Sequence, residues 1–328
     1  MSHFPVSNST LSSTHLAHFL EKVYDIGSNP RCHLLKTGIN HTYQIDSEKG
    51  KFIFRVYSMN WRTDKEIEEE IRLLQILNSQ NVPVSFPIPD QTGRYIQIFD
   101  APEGPRQGML FSFASGQKIL NPSPETHWNI GVAMAKMHLV TQDLQLDRIT
   151  YSSKVLLLDP MEHIRHFLPP DTEEWLWMCT AQQYLLREFE NIDTGQLRHG
   201  AVHLDIWFDN INIDTQNQAT IFDFDFCGNG WLCLDIAYYV MQLHSTEKEE
   251  VVRTAKINAF VEGYESVTQM TAEEKRILPM LGVSLYFFYL GVQSYRYDNW
   301  SNVFFNEVYL KRFILMLVKK YYDTNGLG

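Results

Sequence analysis

One spacing of polar residues constrains this chain more than any other feature. His203, Asp205 and Asn210 form the pattern H-x-D-x-x-x-x-N, and Asp223 follows thirteen residues after Asn210. Between Asn210 and Asp223, two alternating apolar runs flank a polar turn, which predicts a β-hairpin. Because a hairpin returns its ends to the same edge, the Asn210 carboxamide and the Asp223 carboxylate can share one hard cation. With Asp205 in the preceding loop, the set is typical of a phosphoryl-transfer centre.

Composition and charge narrow the class of protein. The chain has 328 residues, 44% hydrophobic and 20% charged, which is typical of a globular protein. Its formal net charge is −11 and its Lys and Arg residues form no run, which argues against nucleic acid as a partner. The N-terminal residues do not resemble a signal peptide, and the most apolar stretch, residues 277–292, is too short and too rich in Tyr, Ser and Gly for a membrane span. Four cysteines without metal-ligand spacing favour a cytoplasmic protein with reduced thiols.

The first third of the chain predicts a β-rich unit with one diagnostic helix. A first helix is predicted at residues 10–26, and residues 33–58 alternate like three strands joined by a polar loop and a Glu-Lys-Gly turn. Arg55 falls in the middle of the last strand, where an Arg among apolar neighbours usually has an anionic partner. Residues 63–82 predict a helix in which Glu70 lies beside the apolar stripe. Two further strands are predicted around residues 95–99 and 109–113.

The rest of the chain is predicted to be mostly helical. A loop rich in Gly, Ser and Pro follows Ala114, and we place a domain boundary there, giving units 1–114 and 115–328. Apolar residues at helical spacing then predict five helices, at residues 127–141, 173–191, 232–243, 247–267 and 310–322. The predicted fold class is therefore α+β.

These motifs together resemble a known family. The segments HLDIWFDN, IFDFD and GWLCLDIA resemble the signature of the aminoglycoside phosphotransferase and choline kinase-like family, which includes homoserine kinases. Upstream, TGINHTYQI, FIFRVY, EIRLLQILNSQNVPV, GMLFSFASG and IGVAMAKMH resemble the family's nucleotide loop, phosphate-contacting strand, Glu-bearing helix, hinge and first C-lobe helix. The resemblance implies a bilobal protein-kinase-like fold, with a β-rich nucleotide-binding lobe and a helical lobe that carries catalysis and the acceptor site. It also implies an ATP- and Mg-dependent kinase.

The resemblance also implies roles for individual residues. Asp205 would orient the acceptor hydroxyl and act as the base, while Asn210 and Asp223 would hold Mg²⁺. Arg55 would contact the nucleotide phosphates, tethered by Glu70. Gly38, Asn40 and the other amides of residues 38–42 would cover the phosphates, and the main chain of residues 111–114, with Phe111 and Phe113, would hold adenine.

Other positions have structural roles or depart from the family pattern. His203 is interpreted as a loop anchor, and Asp235 as a carboxylate that braces the catalytic loop. Leu204 stands where the family usually has Gly, and Arg55 stands where antibiotic kinases commonly have Lys. Asp209 and Asp225 face either the acceptor site or solvent. We expect the acceptor site among residues of the helical lobe, with the following candidates: Asp225, Trp207, Tyr295, Asp298 and Trp300.

The favoured function is transfer of the γ-phosphate of ATP to a hydroxyl of a small molecule, such as an amino alcohol, an amino acid, an aminoglycoside or a sugar-like metabolite. A protein Ser/Thr kinase of the stress-response type is an alternative, although few residues separate Asp223 from the next helix. A non-catalytic nucleotide-binding regulator is a second alternative, and a metal-dependent hydrolase a third. The sequence leaves the oligomeric state open.

Overall fold

The computed structural model describes residues 4–298 and 302–328, which form two compact units, Met1–Ser115 and Gly116–Gly328. The predicted boundary lay one residue before this division. The first unit is built on an antiparallel sheet in the order β1-β2-β3-β6-β4, with β5 also paired to β6. Its strands are β1 Arg31–Thr37, β2 His41–Ser47, β3 Gly50–Val56, β4 Pro87–Ile88, β5 Ile96–Ala101 and β6 Gly104–Ser112.

Alternation along the central strands places one apolar face of this sheet against helix α1, Ser13–Val23. Tyr43 and Ile45 on β2 and Phe54 and Val56 on β3 are fully buried. They form one cluster with Leu20 and its neighbours on α1. This apolar face leaves Arg55, which points to the other side of β3, for a different use.

Helix α2, Asp64–Ser79, carries the partner of Arg55. A capping box at Thr63 and Glu66 fixes its N-terminus, because each side chain accepts the other residue's amide hydrogen. Its apolar stripe includes Ile67, Leu74 and Leu77, and Glu70 is buried on the same face. The predicted strand–helix arrangement is therefore present.

The second unit is mainly helical. The helices are α3 Pro124–Thr141, α4 Asp159–Ile164, α5 Glu173–Glu190, α6 Cys233–Thr246, α7 Glu250–Glu265, α8 Ala272–Tyr295, α9 Glu307–Phe313 and α10 Lys320–Thr324. Short π-helical segments, Lys154–Leu158 and Ile314–Lys319, lead into α4 and α10. Four of the five predicted helices correspond to α3, α5, α6 and α7, and the fifth, at residues 310–322, spans α9, the second π-helical segment and α10. Helices α4 and α8 were not predicted.

Two small β-pairs carry the loop segments of the second unit. The predicted hairpin is present as β8, Ile211–Ile213, paired with β9, Ala219–Ile221. A second pair, β7 His199–Val202 with β10 Gly228–Trp231, was not predicted. These strands are only four residues long and Gly-rich, so they lack the alternation that identifies a strand from sequence.

Helix α8 explains the most apolar stretch of the chain. At 24 residues it is long and apolar enough to cross a membrane by composition, so its length does not exclude a span. However, 72% of its most apolar window is buried inside the structure. It packs against α4 and α6, as a core helix does.

Candidate active site

In the first unit, Arg55 and Glu70 form a buried ion pair. Arg55 Nη2 donates to Glu70 Oε1, and the two residues are only 4% and 1% exposed. Tyr57 joins the pair, because its hydroxyl accepts from Arg55 Nη2 at 2.6 Å and donates to Glu70 Oε2 at 3.0 Å. The carboxylate partner predicted for Arg55 is thus present, and Tyr57 adds a third member that sequence reasoning missed.

Two aromatic rings also contact the Arg55 guanidinium. The Tyr57 and Phe111 rings each lie 4.7 Å from Arg55 Cζ. Planar guanidinium groups stack on aromatic faces in this way, which a Lys ammonium does not do as well. The structure therefore gives a physical reason for Arg rather than Lys at this strand position.

The predicted nucleotide loop is held by its own polar groups. The Gly38 amide donates to the Asn40 carbonyl at 3.1 Å, and the Asn40 side-chain oxygen accepts the Ser58 amide at 3.2 Å. The Ser58 hydroxyl in turn donates to the Ile39 carbonyl. The Gly38 amide and the Asn40 carboxamide oxygen are thus engaged within this unit, and their contact with a nucleotide stays a prediction.

The predicted adenine-contacting stretch begins inside strand β6. The Ser112 amide donates to the Phe86 carbonyl at 2.9 Å, and the Ser112 carbonyl accepts the Ser85 hydroxyl at 2.6 Å. Phe111 is buried beside Arg55, whereas Phe113 follows the end of the strand and lies under Lys51 Nζ at 5.5 Å. Residues 111 and 112 therefore belong to β6, whereas residues 113 and 114 lie beyond its end.

In the second unit, Asp205 has a donor on each carboxylate oxygen. Asn210 Nδ2 donates to Asp205 Oδ2 at 2.7 Å and to the Asp205 carbonyl at 2.9 Å. The Tyr238 hydroxyl donates to Oδ1 at 2.5 Å. The Tyr289 hydroxyl donates to the Leu204 carbonyl at 2.6 Å and lies 3.5 Å from Oδ1. Sequence reasoning missed both tyrosines.

Asp235, at the start of α6, braces the loop that precedes Asp205. Its Oδ2 accepts the His203 amide at 2.9 Å, and its Oδ1 accepts the Leu204 amide at 2.6 Å. Asp235 is fully buried, and His138 Nε2 lies 3.1 Å from its Oδ2. This geometry confirms the predicted bracing role.

His203 fills the space behind the loop. Its Nδ1 accepts the Asp205 amide at 3.1 Å, so Nε2 carries the proton that is donated to the Phe222 carbonyl at 3.1 Å. Its ring also packs on Phe224, with ring centroids 4.3 Å apart. His203 is completely buried, and these contacts confirm that it anchors the loop.

Two residues of the site have left-handed backbones. Leu204 has φ +66°, in the region that favours glycine, so the family's usual Gly is replaced here by a strained residue. Asp223 also has φ +66°. Non-glycine residues in this region cost on the order of 1 kcal/mol each and cluster at functional sites.

The hairpin brings Asp223 next to Asn210. The Phe222 amide donates to the Asn210 carbonyl at 3.0 Å, directly beyond the last rung of the β8–β9 ladder. The Asn210 side-chain nitrogen Nδ2 donates to Asp205. The side-chain oxygen Oδ1 is therefore the atom of this carboxamide that can act as a metal ligand.

The donor set fits a hard cation that takes further ligands from elsewhere. One amide oxygen and one carboxylate are oxygen ligands of the kind that Mg²⁺ prefers, and Mg²⁺ commonly keeps water and substrate phosphates as its other ligands. Among the described residues, no group of three His, Cys, Asp or Glu side chains forms a self-contained metal site.

The predicted acceptor residues that the structure describes differ in their surroundings. Asp225 is only 4% exposed, so the solvated alternative is wrong for it, and its carbonyl accepts from Arg148 Nη2 at 2.5 Å. Asp209 is ion-paired with Lys118. Tyr295, 65% exposed, packs at a tilt against His163, and Asp298 is exposed. Trp300 lies outside the described residues.

Trp207 faces a separate cavity of about 450 Å³ within the second unit. Its walls include Phe208 next to Trp207, and Ile130, Leu243 and Thr246 from helices α3 and α6. His127 also lines it, and burial, with the nearby charge of Lys256, lowers the pKa of His127 to about 4.

The sequence of the chain matches a family of known proteins. The sequence profile of the phosphotransferase enzyme family matches residues 34–269, well over half of the chain. This chain belongs to the phosphotransferase enzyme family. The family and the protein-kinase-like fold predicted from the sequence are thereby confirmed.

Individual relatives agree with this assignment. The chain is 28% identical over 318 residues to the uncharacterized protein sll1119 of Synechocystis sp., covering 94% of this chain and 85% of that protein. It is 25% identical over 273 residues to the homoserine kinase of Methylobacillus glycogenes, covering 82% and 81%. The microcompartment-associated aminopropanol kinase has a similar structure, with TM-score 0.78, 22% identity and coverage of 96% and 99%.

The protein is therefore an enzyme, a phosphotransferase with an alcohol group as acceptor. Kinases of this kind act on small molecules and take the phosphate from a nucleotide.

Proposed function

We propose that the protein is an ATP- and Mg²⁺-dependent kinase that phosphorylates the hydroxyl of a small amino alcohol or amino acid. Asp205 carries this proposal, because Asn210 and Tyr238 each donate to one oxygen of its carboxylate and so orient it toward an acceptor hydroxyl. The nucleotide-binding role of residues 1–114 and the catalytic role of residues 115–328 are parts of the same proposal, as is a cytoplasmic location.

Each unit contributes a different part of the chemistry. Arg55, aligned by Glu70 and Tyr57, contacts the nucleotide phosphates, with Gly38 and Asn40 in the covering loop and Phe111 and Phe113 near adenine. Asn210 and Asp223 hold Mg²⁺, which neutralises charge on the phosphates when bound. Phosphoryl transfer needs positioning and charge neutralisation more than covalent help, and these residues supply both.

The size of the segment after Asp223 favours a small acceptor over a protein. Only residues 224–232 separate Asp223 from α6, and they form a short 3₁₀ turn and strand β10. The close structural similarity to an aminopropanol kinase and the sequence similarity to homoserine kinases suggest acceptors that carry both an amine and a hydroxyl. Asp225 and Trp207 remain candidates for contacts with such an acceptor, as do Tyr295, Asp298 and Trp300.

The decisive variant is Asp205→Asn. Loss of the carboxylate should lower kcat roughly 10³-fold, while calorimetry should find ATP·Mg²⁺ affinity unchanged. Turnover is measured as ADP release with L-homoserine, 1-amino-2-propanol, choline and an aminoglycoside as acceptors. Wild-type turnover by Asp205→Asn contradicts the role of Asp205. ATP binding without ADP release for any acceptor or for water would instead favour the non-catalytic regulator.

A further inference from the structure

Tyr238 donates a hydrogen bond to Asp205, the residue proposed as the catalytic base. Tyr238 is 3% exposed, and its hydroxyl donates to Asp205 Oδ1 at 2.5 Å while Asn210 Nδ2 donates to Oδ2 at 2.7 Å. We propose that Tyr238 is a positioning residue, which fixes the rotation of the Asp205 carboxylate so that one edge faces the acceptor hydroxyl. This inference rests on the proposed kinase function.

Rotation is the freedom that an Asp side chain keeps. The terminal torsion of Asp is broad and roughly two-fold, so the backbone alone does not set the plane of the carboxylate. A donor on Oδ2 leaves the plane free to swing about that hydrogen bond. A second donor on Oδ1 defines the plane of the carboxylate, and with it the direction from which an incoming hydroxyl can donate.

The support behind Tyr238 is rigid. It lies three residues after Asp235 on α6, so both side chains leave the same side of the helix. Asp235 binds the amides of His203 and Leu204, and Tyr238 binds the side chain of the next residue, Asp205. One helical turn thus holds three consecutive loop residues.

A second ring supports the first. The Tyr289 ring lies 5.3 Å from that of Tyr238, and its hydroxyl donates to the Leu204 carbonyl at 2.6 Å. Tyr289 therefore holds the loop backbone and lies 3.5 Å from Asp205 Oδ1, whereas Tyr238 donates to that oxygen at 2.5 Å.

The hydroxyl of Tyr238 stays a donor at any ordinary pH. Burial, together with the negative charge of Asp205, raises the pKa of Tyr238 well above 10. Tyr238 therefore keeps its proton and cannot replace Asp205 as the acceptor of the substrate proton. Its effect must pass through Asp205.

A buried tyrosine away from the loop provides a matched control. Tyr286 on α8 is 4% exposed, and its hydroxyl pairs with Ser245 Oγ at 2.6 Å rather than with the catalytic loop. Tyr286→Phe removes the same atom from an equally buried ring.

The experiment measures ADP release by Tyr238→Phe, using the acceptor with the highest turnover among those named above and water as the acceptor in parallel. We expect kcat to fall roughly 10- to 100-fold, because misplacing a reacting group costs rate rather than nucleotide binding. The KM for ATP and the melting temperature should change little. Tyr286→Phe should stay within about 3-fold of wild type in kcat.

A double-mutant cycle separates positioning from general damage. If Tyr238 acts only through Asp205, then Tyr238→Phe should cause no further loss in the Asp205→Asn background. A kcat of Tyr238→Phe equal to wild type, or an undiminished loss in the Asp205→Asn background, would overturn the inference.

Different variants test the inference about Tyr238 and the proposed function. If Asp205→Asn is inactive and Tyr238→Phe is normal, only the role of Tyr238 is wrong. If Asp205→Asn turns over like wild type, the role of Asp205 in the proposed function is wrong as well.

Discussion

The two units hold their key charged groups in opposite ways. In the first unit, the Arg55 guanidinium pairs with the Glu70 carboxylate and contacts the Tyr57 and Phe111 rings. In the second unit, the neutral Asn210 amide and the neutral Tyr238 hydroxyl each donate to one oxygen of Asp205. The first arrangement joins two opposite charges, whereas the second orients a carboxylate with two neutral donors.

This difference fits the proposed chemistry. The Arg55–Glu70 pair fixes the guanidinium in one position, which suits a group that contacts phosphates. The two donors on Asp205 orient a carboxylate that must also accept a hydrogen bond from a substrate hydroxyl. Asp235, itself an anion, holds the loop backbone by accepting the amides of His203 and Leu204.

Removing one partner of the buried pair should give the largest effect. Glu70→Ala leaves the Arg55 guanidinium buried without its carboxylate, and we expect a loss of about 3–5 kcal/mol in the free energy of unfolding. The measurement is denaturant-induced unfolding, with the KM for ATP followed in parallel.

Glu69→Ala is the control on the same helix, because Glu69 pairs with the half-exposed Arg72. Its loss should stay below about 1 kcal/mol. Equal losses in the two variants would mean that the Arg55–Glu70 pair is no different from a surface pair, and the contrast between the units would disappear.

Substitution of Leu204 measures the cost of the left-handed backbone in the loop before Asp205. Leu204→Gly relieves the left-handed backbone but removes a completely buried side chain, and cavity formation outweighs relief of strain. We expect a net loss of about 2 kcal/mol in the free energy of unfolding.

Leu204→Ala separates these two contributions. It creates a similar cavity but keeps the strain, so it should be less stable than Leu204→Gly by about 1 kcal/mol. An alanine variant more stable than the glycine variant would contradict a left-handed backbone at this position.

Buried histidines in both units should give the smallest effect. Burial, with the charges of Arg106 and Lys256 respectively, lowers the pKa of His41 and of His127 to about 4. As the pH falls from 6.5 towards 4, the unfolded chain binds protons that the folded chain does not, so stability falls through this window and is restored above it. At pH 5.5 the loss should be about 1 kcal/mol per histidine relative to pH 7.5.

Unfolding experiments at pH 7.5, 6.5 and 5.5 measure this loss. His41→Gln and His127→Gln should each reduce the pH dependence, whereas the exposed His18→Gln should not. An unchanged pH dependence in both buried variants would show that other groups cause it.

Much of the candidate site could be predicted from local patterns. The hairpin that joins Asn210 to Asp223 depends on alternation over a dozen residues, and the helix that carries Glu70 depends on its own apolar stripe. Asp235 was recognised because it begins a strongly apolar helix in a known motif. In each case the informative residues lie close together in the sequence.

The missed residues have a different character. Tyr238 and Tyr289 belong to apolar helices in which aromatic residues usually pack in the core, and their partners lie 33 and 85 positions away. One signal was present for Tyr238, since it stands one turn after Asp235 and must face the same loop. No comparable local signal pointed to Tyr289.

The sequence by itself determined the family, most of the strands and helices, and the hairpin that joins Asn210 to Asp223, because backbone periodicity and short-range spacing fix these features. The tertiary structure alone decided how each charge is held: Arg55 by a carboxylate and two rings, Asp205 by a tyrosine and an asparagine, and Leu204 in a backbone that favours glycine. These outcomes depend on which surfaces of distant helices and strands come into contact, and that contact is set by packing of the whole chain rather than by any local stretch.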